Sequence, residues 1–62
     1  MEELQSRKQV SAWLDIPEQT LANWATQGKG PRFYKVGRHT RYDPTDVRAW
    51  LEENAREPKV AS

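Results

Sequence analysis

Apolar positions recur at helical spacing in three stretches of the chain. Val10, Trp13 and Leu14 form the first set, Leu21, Trp24 and Ala25 the second, and Val47, Trp50 and Leu51 the third. Positions i, i+3 and i+4 share one side of an α-helix, so each set predicts a buried stripe. Only Asp15-Ile16-Pro17 separates the first two, which is too short for anything but a turn between crossed helices. Between the second and third sets the period changes. Phe33-Tyr34-Lys35-Val36 has the aromatic and β-branched character of a strand, with Tyr34 and Val36 on one face and Lys35 on the other. Gly37-Arg38-His39-Thr40 makes a turn in which Gly37 is free to take a positive φ, and Arg41-Tyr42 is the return strand.

Polar residues set the boundaries. Ser6 and Gln9 have the spacing of a capping box, so the first helix runs from Arg7 to about Leu14. The second helix has two possible starts. Pro17 suits a first turn because it has no N–H and a fixed φ. With Asp15 as the cap, Glu18 falls where a capping-box acid belongs, and that start is preferred. Ile16 then packs into the turn. The helix runs to about Gln27, and Gly28 supplies a left-handed residue to end it. Asp43-Pro44-Thr45-Asp46 starts the third helix with a cap, a first-turn proline and an acid, and it ends near Asn54 or Ala55. Residues 1–5 are expected to be flexible, though Leu4 can pack back, and 56–62 form a loose tail. Residues 6–55 are then one domain, mainly α with a small β-hairpin. The order of parts is that of a winged helix-turn-helix, with three helices and a two-stranded wing between the second and third.

Size changes how the aromatics are read. A chain of 62 residues buries only about 60% of the surface it exposes when unfolded. Trp13, Trp24 and Trp50 each sit within a helical stripe, so they are expected to fill the core and not to stack on bases. The chain has no Cys, which excludes disulfides and thiolate metal sites and fits a reducing cytoplasm. No apolar run approaches the ~20 residues of a membrane span, and no signal-peptide pattern opens the chain.

The formal charge is only +1, but its distribution is uneven. From Lys29 to Arg41 the chain carries Lys29, Arg32, Lys35, Arg38, His39 and Arg41 and no acid. Such a segment suggests a face made for an anion, the plainer alternative being a solvated hairpin. Catalysis is not expected. One His, no Cys and carboxylates explained by helix caps or exposed faces offer no convergent pocket, no metal site and no cofactor site. The second helix is more informative. With Leu21, Trp24 and Ala25 turned inward, its outer face carries Glu18, Gln19, Ala22, Asn23 and Thr26, with Thr20 near its start. Gln and Asn can pair with adenine edges in the major groove, and a small Ala allows close approach or contact with a thymine methyl. Arg38 and His39 at the hairpin tip could enter a minor groove. Lys35 and Arg41 on the wing, with Lys29 and Arg32 before it, would meet phosphates.

The stretch Val10-Ser-Ala-Trp-Leu-Asp-Ile-Pro-Glu-Gln-Thr-Leu-Ala-Asn-Trp24, then Gly28, then Gly30 through Leu51, resembles small winged-helix proteins of the excisionase and AlpA type, relatives of the DNA-binding domain of MerR regulators. The resemblance covers roughly residues 6–53. Lys35-Val36-Gly37-Arg38, Tyr42, Asp46-Val47 and Trp50-Leu51 are its more specific part. It implies binding to double-stranded DNA, with Gln19, Thr20, Ala22 and Asn23 in the major groove and Arg38 and His39 in the minor groove. The family usually has Gly at the position of Asp15 and Ser at that of Pro17, and its reading helix commonly carries Arg, which is missing here. Excisionases bind repeated sites, bend DNA and steer an integrase toward excision of a prophage. The resemblance therefore implies an integrase partner, self-association on tandem sites by a monomer, and a cytoplasmic setting. A small AlpA- or MerR-like transcription regulator is the alternative. The lack of an effector or coiled-coil segment weighs against a full MerR regulator. A protein-binding adaptor using the basic hairpin on an acidic partner is the reading from another class.

Overall fold

The computed structural model describes residues 3–58. The element order is β1 (Gln5–Ser6), α1 (Arg7–Leu14), α2 (Glu18–Gln27), β2 (Tyr34–Val36), β3 (His39–Tyr42) and α3 (Pro44–Glu53). The expected mainly α fold with a wing is present. β2 and β3 pair antiparallel, with Tyr34 opposite Arg41, Lys35 opposite Thr40 and Val36 opposite His39.

A third strand joins the wing. Gln5 pairs with Tyr42 and Ser6 with Arg41, so the sheet order is β1-β3-β2. The expectation of a loose segment up to residue 5 is therefore corrected at Gln5. Two residues are too few to show an alternating pattern, which is why the strand was not legible. Leu4 stays exposed. Met1 and Glu2 lie outside the described residues, as does the end of the expected tail from Lys59 onward.

The helix starts follow from local hydrogen bonds. At α1 the Gln9 amide donates to Ser6 Oγ at 3.1 Å and the Ser6 amide to Gln9 Oε1 at 2.8 Å, completing the capping box. At α3 the Thr45 amide donates to Asp43 Oδ1 at 2.9 Å, with Pro44 as the first helical residue. α2 differs from expectation. Asp15 does not cap it. Asp15 instead closes α1 in the left-handed conformation, φ 55°, with its amide donating to the Ser11 carbonyl. The Ile16 amide donates to the same carbonyl at 3.1 Å, and the Ser11 hydroxyl donates to the Ile16 carbonyl. Asp15 and Ile16 are thus held by the end of α1. α2 begins only after Pro17, without a side-chain cap, so Glu18 completes no capping box.

The core takes one residue from each of four elements: Val10 of α1, Leu21 of α2, Tyr42 of β3 and Val47 of α3. Burying a Val or Leu side chain contributes ~1.5–3 kcal/mol each. Leu14, Ile16, Trp24 and Phe33 pack against this cluster. Trp24 meets Trp50 with ring centroids 5.5 Å apart, and Phe33 meets Tyr42 at 6.2 Å. Trp50 is half-buried and meets this cluster through Trp24, and two expected core residues are exposed. Trp13 is 38% exposed and Leu51 37%. Helical spacing gives a stripe wider than a core this small can cover. Val10 and Leu14 take the covered part of α1, and Trp13 is left on its flank with the Arg48 guanidinium 5.6 Å from its ring centroid.

Candidate nucleic-acid interface

The shared core holds α2 beside the wing. On α2, Glu18, Gln19, Asn23 and Thr26 are exposed, while Thr20 and Ala22 are half-buried. The exposed set recurs on one side of the helix, as the outward face required. The face is already ordered internally. Gln19 Nε2 donates to Asn23 Oδ1 at 3.0 Å. The Thr26 hydroxyl donates to the Ala22 carbonyl at 3.2 Å, so its proton is engaged by its own helix.

The wing turn is tighter than the sequence suggested. It comprises Gly37 and Arg38 alone, with His39 and Thr40 already in β3. Gly37 takes φ 64°, the positive value that such two-residue turns demand. Arg38 is therefore at the tip, exposed to solvent, and His39 stands exposed beside it opposite Val36. Arg41 lies in the middle strand, half-buried, and donates from Nη1 to the Thr40 carbonyl at 2.8 Å.

Alternation along β2 gives the wing two different sides. Tyr34 reaches α3, where its hydroxyl donates to Asp46 Oδ2 at 3.3 Å. Lys35 turns the other way and lines a cleft of about 310 Å³ between α2 and the strands. Ala22, Ala25 and Thr26 form the helix side of this cleft, Lys35 and Thr40 the strand side, with Phe33 and Arg7 completing it. Among the described residues no acidic one lines it. Arg7 was not singled out by sequence. It reads there as an ordinary first-turn residue of α1, and no sequence signal placed it beside α2 and the wing.

The basic run does not form a single surface. Lys29 lines a separate groove with Trp24, Trp50 and Glu53. Arg32 stacks over Tyr34 at 5.1 Å and lines a third recess with Asp46 and Glu53. Both therefore stand near α3 acids, whereas Lys35 does not. The chain break at Gly30-Pro31 sends Lys29 and Arg32 toward α3 before β2 returns to α2. Among the described residues no group of three or more His, Cys, Asp or Glu could hold a metal ion, and no helix is long and apolar enough to cross a membrane.

Residues 6–55 match the family model of a helix-turn-helix domain. The match runs from the cap of α1 to just beyond α3 and supports binding to double-stranded DNA. Comparison with curated proteins and with solved structures found no match.

Proposed function

The chain belongs to the helix-turn-helix domain family, and on that premise we propose that it is an excisionase, which binds and bends duplex DNA to direct an integrase toward prophage excision. α2 lies in the major groove, where Gln19, Asn23, Glu18, Thr20, Ala22 and Thr26 face base edges or the adjoining backbone. Arg38 and His39 enter the neighbouring minor groove, with Lys35 and Arg41 behind them. Lys29 and Arg32 meet flanking phosphates.

The observation that carries this reading is the small size of the two candidate elements. α2 has ten residues and an outer face without a cation, and the wing turn has two residues. One copy therefore covers few base pairs and discriminates weakly, since each good bidentate base contact is worth only ~1–3 kcal/mol. Occupancy then calls for several copies on direct repeats, bound cooperatively by a protein that is monomeric in solution. A wing inserted at each repeat biases local curvature, and an array sums those bends. The partner is the integrase, met by the exposed acids Glu52 and Glu53 or by the tail, and the setting is the cytoplasm, where prophage DNA lies.

The test is a titration on DNA bearing one site and on DNA bearing several, beside an excision assay with an integrase encoded next to this chain. Cooperative occupancy of the repeats with stimulated excision is the expected result. A stable dimer on a single palindrome, with excision unchanged, would contradict it and favour a small transcription regulator. Affinity for an acidic protein with none for duplex DNA would favour the adaptor.

A further inference from the structure

We infer that the cleft between α2 and the wing is a phosphodiester subsite, in which Arg7 and Lys35 grip the one sugar-phosphate strand that the protein straddles. The inference rests on the duplex-binding reading above and adds a ligand group and a residue to it. The argument begins with DNA geometry. A helix in the major groove and a wing in the adjoining minor groove must sit on either side of the backbone strand that separates those grooves. The path of that strand then runs through the space between the two elements, and a cleft of about 310 Å³ lies there, between α2 and β2–β3.

Its chemistry suits an anion. Arg7 and Lys35 bring two cations to it, Thr40 a hydroxyl, and among the described residues no carboxylate lines it. Ala22 and Ala25 keep the helix wall low, so a backbone strand can approach closely. The decisive feature is Arg7. Its Nε is buried and has no hydrogen-bond partner. A buried donor left unpaired is costly, more so when charged, so such groups are normally satisfied. In the free chain that Nε is closed even to water, so a phosphate oxygen satisfies it once the guanidinium turns into the cleft it lines, and guanidinium is the side chain best shaped for phosphate. Gln5 Oε1 is a second buried polar atom without a partner. A direct bond between it and Arg7 Nε is the rival way to satisfy both. Ala22, in this arrangement, is a spacer against the strand and not a reader of thymine methyls.

The experiment uses the ¹⁵N-labelled full chain and a mixed-sequence duplex oligonucleotide. The Arg7 Nε–Hε signal, assigned by its loss in Arg7→Lys, is followed through the titration. It is expected to shift on binding. In parallel, Arg7→Gln is expected to weaken binding to unrelated duplexes by a common factor. It should also reduce the steepness of the plot of log K against log salt by about 0.9, the value for one phosphate contact. Arg7→Lys should restore that slope. Retention of the full slope in Arg7→Gln would overturn the subsite. So would an Arg7 signal that stays still while the Gln19 and Asn23 side-chain signals move, the result expected if Gln5 already holds it. If no signal moves and no duplex binds, the duplex-binding reading itself falls, and the subsite with it.

Discussion

Gln19 Nε2 donates to Asn23 Oδ1 at 3.0 Å, so the two amides of the α2 outer face act as a pair and not as separate groups. An amide oxygen has two lone pairs, and this bond uses one. Asn23 therefore keeps an acceptor site and both N–H donors, which is what a bidentate contact with adenine requires. Gln19 fixes the plane in which Asn23 presents them. On a site selected from a random duplex pool, Asn23→Ala should cost ~1–3 kcal/mol, with little effect on random DNA. Gln19→Ala should cost less, and the double variant should show a coupling of ~0.5 kcal/mol or more. Strict additivity would mean that the pair does not act together in the complex.

Arg38 should fail in a different way. It occupies the exposed tip of a two-residue turn, on the wing and not on α2. Arg38→Ala is expected to weaken binding most where the site is A·T-rich, because the narrow minor groove concentrates negative potential there. Competition with A·T-rich and G·C-rich duplexes measures this, and an equal loss on both would remove Arg38 from the minor groove.

Asp15 is the one non-glycine at positive φ among the described residues. The left-handed conformation costs an L-residue ~1–2 kcal/mol, less for Asp than for most, and glycine escapes it. Asp15→Gly should therefore be neutral or stabilise by up to ~1 kcal/mol, and Asp15→Val should destabilise by more than 1 kcal/mol. Denaturant melts of the two variants check this. A destabilised Asp15→Gly would show that the Asp15 side chain supports the turn.

The tryptophans should rank by contact. Trp50 is half-buried and packs on Trp24 at 5.5 Å, whereas Trp13 is exposed. Truncating a fully buried Trp costs ~3–5 kcal/mol. Trp50→Ala should approach the lower end of that range, enough to unfold much of so small a domain at 37 °C. Trp13→Ala should cost ~1 kcal/mol or less. Thermal melts that reversed the order would contradict the assignment of the core.

Much of this fold was legible because the signals are local. Ser6 with Gln9, and Asp43 with Pro44, name their helix starts within four residues of chain, and Ser6 and Asp43 both cap as read. Gly28 and Gly37 likewise take the positive φ values their positions demand. The start of α2 was misread because Asp15 could serve either helix, and only the competition of Ser11 with the turn backbone decides which. Trp13 and Leu51 were misassigned because periodicity gives the direction of a side chain, not whether anything stands opposite. The outer face of α2 followed from removing the inward residues. The cleft did not follow, since Arg7, Ala22 and Lys35 are distant in sequence and meet only after the core brings α2 to the wing. For the same reason the Lys29–Arg41 run reads as one basic patch in sequence but divides between two sides of the folded chain.

Binding of duplex DNA through α2 and the wing is the central claim, and its salt dependence tests it most directly. Fluorescence anisotropy of a labelled duplex, titrated with the full chain between about 50 and 200 mM salt, gives log K against log salt. With four or five phosphates neutralised by wing and cleft cations, the plot should be linear with a slope of about −4. A flat dependence, or no measurable binding at the lowest salt, would contradict the account.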